Sequence, residues 1–247
     1  ALLDMNMVFG EVPMFLDMSP KHDWGDITKN IDRLDEFFLS NILSKHSTGL
    51  HILPSPKYLD NHPTPTPPIM ENLLELMRKN YDYIIVDLGQ SLNETALKII
   101  QMSDLIQIVA IQSLPCLSNT SRLIKSLVEY GYTDKNSLDI VLNRYIKKGM
   151  VSLETAEEGV GKKMSWIIPN DYSTTMSAIN SGRPNSAGSG HVPACQLSGT
   201  GSTHLSGAGL QACRPGAHSS QVLPECSRSL SRLRASLGAG RSIRALI

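Results

Sequence analysis

The sequence predicts an α/β fold: a doubly wound, mostly parallel sheet with helices on both faces, followed by a tail of different composition. Three observations predict it. Short apolar runs alternate with helical patterns of roughly 10–15 residues, the signature of successive βαβ units. One run, Ile84-Ile85-Val86, is β-branched and unbroken, as expected of a strand in the middle of a parallel sheet covered by helices. Composition then changes abruptly at Pro184.

The 247 residues suffice for one such domain plus extra material. The 23 basic and 23 acidic residues cancel, so no bulk attraction to nucleic acid is expected and no specific nucleic-acid partner. The balance is uneven, because residues 184–247 hold one acid, Glu225, and six arginines. No apolar run reaches the ~18 residues of a membrane-spanning helix, and no secretory leader pattern opens the sequence. Cys116 is the single cysteine of residues 1–183, which fits a reduced, cytoplasmic setting without a disulfide framework.

The elements follow in order. Ala1-Leu2-Leu3-Asp4 reads as the end of a buried strand, and a domain seldom begins inside a core strand, so further coding sequence upstream is expected. A loop with Gly10 and Pro13 leads to helical patterns at 23–30 and 34–43. Residues 49–53 form a short strand stopped by Pro54 and Pro56. The prolines of 63–68 make a stiff connector into a helix at 69–79, with Arg78 and Lys79 favourable at its carboxyl end. After the Asp87 strand come a helix at 93–102, a buried strand at 105–111 and a helix from Pro115 to Tyr130 closed by Gly131. A strand at 138–142, a helix at 151–160, a strand at 166–168 and a helix at 173–180 complete the predicted domain, residues 1–183. The tail, residues 184–247, has 12 serines, nine glycines, no lysine and no Phe, Tyr or Trp. It lacks the apolar surface to offset its ordering entropy and is expected to be disordered or out of frame with the domain.

Ligands of such sheets bind beyond the carboxyl ends of the strands, where Asp4, Asp87, Asn143 and Pro169 are predicted to lie. Four apolar residues followed by Asp87 have the shape of a Walker B element, whose carboxylate holds the water shell of a Mg²⁺ on nucleotide phosphates. A buried strand ending on a capping aspartate has the same shape. Gly159-Val160-Gly161-Lys162 looks superficially like a phosphate loop, but it follows a helix and precedes a strand, the reverse of the required order. Cys195, Cys213 and Cys226 with His191 and His204 lack zinc spacing. Leu230, Leu233 and Leu237 with Arg228, Arg232 and Arg234 form a short basic amphipathic pattern interrupted by Gly238 and Gly240.

Five blocks in fixed order carry a family resemblance: LLDMNMVFGEVPMFLDM, GLHILPSP, YDYIIVDLGQSL, VLNR and IPNDYSTTMSAINSGRP. Together they resemble the MinD/ParA ATPases, P-loop proteins with a deviant Walker A. The stretches FGEV and HSTGLHILPSP are similar to the CpaE/TadZ pilus-assembly branch. The resemblance implies a P-loop NTPase-like domain, truncated before its first switch strand and so lacking the P-loop strand and helix. It implies ATP and Mg²⁺ as cofactors and a homodimer with ATP sandwiched between subunits. It further implies pilus or secretion assembly proteins as partners, peripheral membrane association, and a cytoplasmic or polar location.

Carried over by position, Asp4 matches the aspartate near Mg²⁺ and the attacking water, and Asn6 stands where the family has a second aspartate. An amide cannot accept a proton, so slow or absent hydrolysis is expected. Asp87 matches Walker B and Gly89 the hinge of the second switch. Asn143 matches the residue that reads adenine, flanked by Arg144, and Pro169, Asn170 and Asp171 match the loop on the other side of the base. The glycine-rich loop with its signature lysine falls about 30 residues before Ala1, so the chain as given is expected to bind ATP weakly and to be inactive as an ATPase. Two alternatives stay open: a non-hydrolysing scaffold of the same fold, and an unrelated flavodoxin-like binding module.

Overall fold

Parallel main-chain pairing organises the molecule. The computed structural model describes residues 1–8, 10–57, 64–182, 196–197 and 241–247. The elements are β1 (Leu2–Asp4), α1 (Val12–Phe15), α2 (Trp24–Lys29), α3 (Glu36–Ile42), β2 (Ser44–Lys45), β3 (His51–Leu53), α4 (Pro67–Asn80) and β4 (Tyr83–Asp87). They continue with α5 (Glu94–Met102), β5 (Leu105–Ile111), α6 (Leu114–Glu129), β6 (Leu138–Tyr145), α7 (Leu153–Val160), β7 (Trp166–Pro169), α8 (Tyr172–Ser181), β8 (Gln196–Leu197) and β9 (Ser242–Leu246). One sheet holds all nine strands in the order β2-β3-β1-β4-β9-β5-β6-β7-β8, antiparallel only at its two edges.

Sequence explains most of the ends. Asp23, Asp35, Asn93, Ser152 and Asp171 each accept a main-chain N–H of their helix's first turn. Prolines open α4 and α6, where their missing N–H is not needed. Gly161 stops α7 with φ +77°, so the Gly-Val-Gly-Lys run is a helix stop. The strand predicted to end at residue 142 runs on to Tyr145, because a register shift between Leu142 and Tyr145 lets Arg144 take the left-handed conformation with φ +53°.

The pleat separates two environments. Leu3, Ile84, Val86, Ile243, Ala245, Ile106, Ala110, Ile140 and Leu142 are all 0% exposed. They share one continuous core with Leu73 and Met77 of α4, Ile99 and Ile100 of α5, and Leu117 and Leu127 of α6. On the other pleat face Ile85, Val109 and Ile111 keep 38%, 36% and 41% exposure. The unbroken Ile84-Ile85-Val86 run is therefore buried on alternate residues only.

The expectation of a tail without packed structure fails for residues 242–246. They form β9, parallel to β4 and β5 and lying between them. The physical reason is a period-two pattern that composition hides: Ile243 and Ala245 alternate with Ser242, Arg244 and Leu246, and the first pair enters the core. The cysteines and histidines of the tail and the basic amphipathic pattern at 228–237 lie outside the described residues.

Substituting Ile243 by Ala tests this placement. Removing a fully buried side chain lowers stability by about 2–5 kcal/mol in urea unfolding. A loss under about 0.5 kcal/mol, typical of a surface change, would show that residue 243 is solvated.

Candidate functional site

The strand order reverses at β1. The chain leaves β1 for β3 on one side and later returns through β4 on the other, so a crevice opens at the carboxyl ends of β1 and β4. Two carboxylates stand there, because Asp4 and Asp87 are register partners on adjacent parallel strands. The ladder continues past them, with the Met5 N–H donating to the Asp87 carbonyl at 2.8 Å. Asn143 ends the regular part of β6 opposite Ile111 at this same end of the sheet. Alternation along the ladders puts Asp4, Asp87 and Asn143 on the pleat face that carries Ile85, Val109 and Ile111.

Asp4 is 1% exposed. Its Oδ1 accepts the Asn6 N–H at 3.0 Å, while Oδ2 has no hydrogen-bond partner. Its carbonyl accepts Trp24 Nε1–H at 2.7 Å, which pins the end of β1 to buried α2. Gly10 closes over the carboxylate so tightly that a Cβ there would meet Ser55 Oγ at 1.4 Å and Asp4 Oδ2 at 2.7 Å. Burial raises the Asp4 pKa above the ordinary aspartate value, the Asn6 and Val12 N–H groups partly offset this, and the nearby Asp87 and Glu11 charges raise it again.

Asp87 is half-buried, and its Oδ1 accepts the Gly89 N–H at 3.1 Å. Gly89 turns with φ +63°, and a Cβ on it would lie 3.9 Å from Asn6 Cβ. The two loops expected to act as switches therefore lie near one another at Asn6 and Gly89. Asn6 is exposed, beside the carboxylate pair. Met5, Met7, Pro65, Leu88 and Asn93 line a recess of about 40 Å³ next to these loops.

Asn143 and Arg144 meet the third loop. The Asn143 Oδ1 accepts the Arg144 N–H at 2.8 Å. Pro169 pairs with Tyr145, and the Asn170 N–H donates to the Tyr145 carbonyl at 2.9 Å, so Pro169, Asn170 and Asp171 flank the end of β6. The Asp171 carboxylate caps α8 by accepting the Thr174 N–H at 3.0 Å.

Sequence reasoning missed Gln112, Trp24, Gly10 and Ser55. Gln112 Oε1 accepts the Ile146 N–H at 2.9 Å, and its Nε2 donates to the carbonyls of Ile146 and Val151, which holds the loop after Asn143. Its position directly after the β5 strand was the available signal. Among the described residues no group of three or more His, Cys, Asp or Glu is placed to hold a metal directly, and no helix is long and apolar enough to cross a membrane.

The parallel sheet and its strand order define a doubly wound α/β protein, with two carboxylates at its switch point. No family model matches the chain. It is 24% identical over 149 residues to the septum site-determining protein MinD of Thermotoga maritima, a match covering 58% of this chain and 54% of that protein. The chain thus spans about half the length of the curated relative it matches. Its fold matches a ParA family ATPase from Chlorobium tepidum with a TM-score of 0.68 and 27% identity, over 74% of this chain and 76% of that one. It also matches the MinC:MinD cell division protein complex of Aquifex aeolicus with a TM-score of 0.61 and 20% identity, over 74% and 73% of the two chains. The chain is related to the MinD/ParA family of ATPases.

The buried Asp4 yields a pH prediction. Its raised folded pKa means that its contribution to stability is fully present below the ordinary aspartate pKa and is lost as pH rises through the folded value. Asp4→Asn keeps an acceptor for Asn6 but carries no charge. It is therefore expected to melt at a higher temperature than the native chain near pH 7, with the gap closing toward acid pH. Equal melting temperatures from about pH 5 to 8 would refute the assignment.

Proposed function

We propose that this chain is the switch portion of an ATP-dependent dimerising ATPase of the CpaE/TadZ kind, which positions pilus or secretion assembly machinery at the cytoplasmic side of a membrane. The observation that supports it best is the Asp4–Asp87 register pair at the switch point of a parallel sheet, with the buried Asp4 Oδ2 left without a partner. A carboxyl oxygen of that kind fits the water shell of a divalent cation.

In this reading Mg²⁺ supplies charge neutralisation on the nucleotide phosphates when bound. Asp4 and Asp87 are the residues that would hold it, through their carboxylates. Gly89, near Asn6, would pass the state of one loop to the other. The amide of Asn143 offers one acceptor and one donor to a base edge, while Arg144 and the Pro169-Asn170-Asp171 loop bound the base pocket from the flanks. Partners and membrane association follow the family reading and rest on the sequence blocks.

A second reading, a non-hydrolysing scaffold of the same fold, is favoured by Asn6. Its amide stands exposed beside the carboxylate pair and cannot take a proton from water.

Nucleotide titration of the chain, followed by fluorescence and sedimentation velocity, tests both. ATP binds weakly, Mg²⁺ strengthens it, and the complex self-associates. Asp87→Asn removes the Mg²⁺ effect, about tenfold or more, while Asn143→Ala weakens ATP without weakening inorganic triphosphate. Nucleotide binding that ignores Asp87→Asn would end the ATPase reading. Phosphate release restored by Asn6→Asp would select the scaffold as the present state of the site.

A further inference from the structure

The strands β3, β1 and β4 lie side by side and run parallel, so all three end at the crevice. Asp4 and Asp87 come from β1 and β4. β3 brings a third oxygen to the same place. Leu53 is the register partner of Leu3, and Ser55 follows two residues later, bracketed by Pro54 and Pro56. A proline fixes its own φ and restricts the residue before it to extended backbone, so Ser55 is carried on a stiff prolongation of the strand. Its side chain is nevertheless enclosed, with 6% exposure, in a region where serine is ordinarily at the surface.

Gly10 closes this corner. A Cβ on it would lie 1.4 Å from Ser55 Oγ, 2.5 Å from Ser55 Cβ and 2.7 Å from Asp4 Oδ2. Both oxygens therefore border the one small space that the missing side chain leaves. They do not bond to each other there, because Asp4 Oδ2 has no hydrogen-bond partner. Leaving a buried carboxyl oxygen unsatisfied is costly, and the proton of a neighbouring hydroxyl is the ordinary remedy. Two enclosed oxygens that face one space without bonding are instead arranged as acceptors around a third atom. Asp4 and Asp87 by themselves are a thin set for a hard cation, which surrounds itself with oxygen ligands. Among the described residues no third His, Cys, Asp or Glu completes a group with them.

We propose that Ser55 is a third protein ligand of the cation site, its hydroxyl oxygen serving the same divalent ion as Asp4 Oδ2. Position 10 is glycine because any side chain there would fill the space both oxygens face. The proposal rests on the reading of Asp4 and Asp87 as the cation-holding pair, and adds to it a residue and a metal preference. Two carboxylates and a hydroxyl suit Mg²⁺ or Mn²⁺ and disfavour soft, thiophilic ions. The ion would also tie β3 to β1 and β4, three strands whose ends otherwise meet through main-chain pairing alone.

The test uses the full chain with its four native cysteines changed to serine, and titrates Mn²⁺ or Cd²⁺ alone, without nucleotide. Bound Mn²⁺ is read from the loss of the free-ion paramagnetic resonance signal, and bound Cd²⁺ from its competition with Mn²⁺. The parent chain is expected to take up one Mn²⁺ that Mg²⁺ displaces. Ser55→Ala and Gly10→Ala are each expected to weaken Mn²⁺ about tenfold or more. Ser55→Cys is expected to weaken Mn²⁺ but to bind Cd²⁺ about tenfold more tightly than the parent, because sulfur replaces a hard oxygen at the ion. A serine that only packs would leave both affinities unchanged in every folded variant. Mn²⁺ binding that is lost in Asp4→Asn yet equal in the parent and Ser55→Ala, or a Ser55→Cys chain without a gain for Cd²⁺, would overturn the proposal and leave the nucleotide reading standing. Mn²⁺ uptake that survives both Asp4→Asn and Asp87→Asn, or none by the parent chain, would overturn the cation-holding pair and this proposal with it.

Discussion

The β1–β4 ladder is the constraint on which the rest of the molecule depends. Ile85 N–H donates to the Ala1 carbonyl and Met5 N–H to the Asp87 carbonyl, so the two strands cannot slip without moving both carboxylates. A parallel register fixes which side chains share an end, and here it sets two like charges side by side. The fold accepts that repulsion by burying one member. Asp4 sits under Gly10 and Ser55 while Asp87 stays half open, and burial raises the Asp4 pKa above its ordinary value.

Packing supports the ladder from one side. The fully buried alternates of β1, β4, β9, β5 and β6 meet α4, α5 and α6 in a single core. The opposite pleat face keeps large apolar residues half exposed, and it is also the face on which Asp4, Asp87 and Asn143 fall. Stability and chemistry are thus divided by the two-residue period of the strands. Core residues can be exchanged for others of like volume without touching the site, whereas a one-residue slip would bury the site and expose the core.

Much of this was legible in the sequence, for identifiable reasons. The long helices α4, α5 and α6 carry clear apolar stripes with proline or asparagine at their starts, and β4 and β5 are β-branched runs, so element type and order could be read directly. The strand ends that carry Asp4, Asp87 and Asn143 followed from that order. What could not be read was set by distant partners. β9 is a five-residue strand in a Ser- and Gly-rich stretch, and only the two strands beside it make its alternation meaningful. β2 is two residues long and exists by pairing with β3. Gln112 and Gly10 matter through contacts 34 and 45 positions away along the chain, with Ile146 and Ser55, which no local pattern reports.

The place of β9 also governs the order in which the molecule can be assembled. A strand from residues 242–246 completes the middle of a sheet whose outer strands are made much earlier. As the polypeptide emerges from the ribosome, β4 and β5 are available long before the piece that bridges them. Among the described residues no other strand pairs with those two inner edges, and unpaired edges are the kind of surface that chaperones bind and that aggregates grow from.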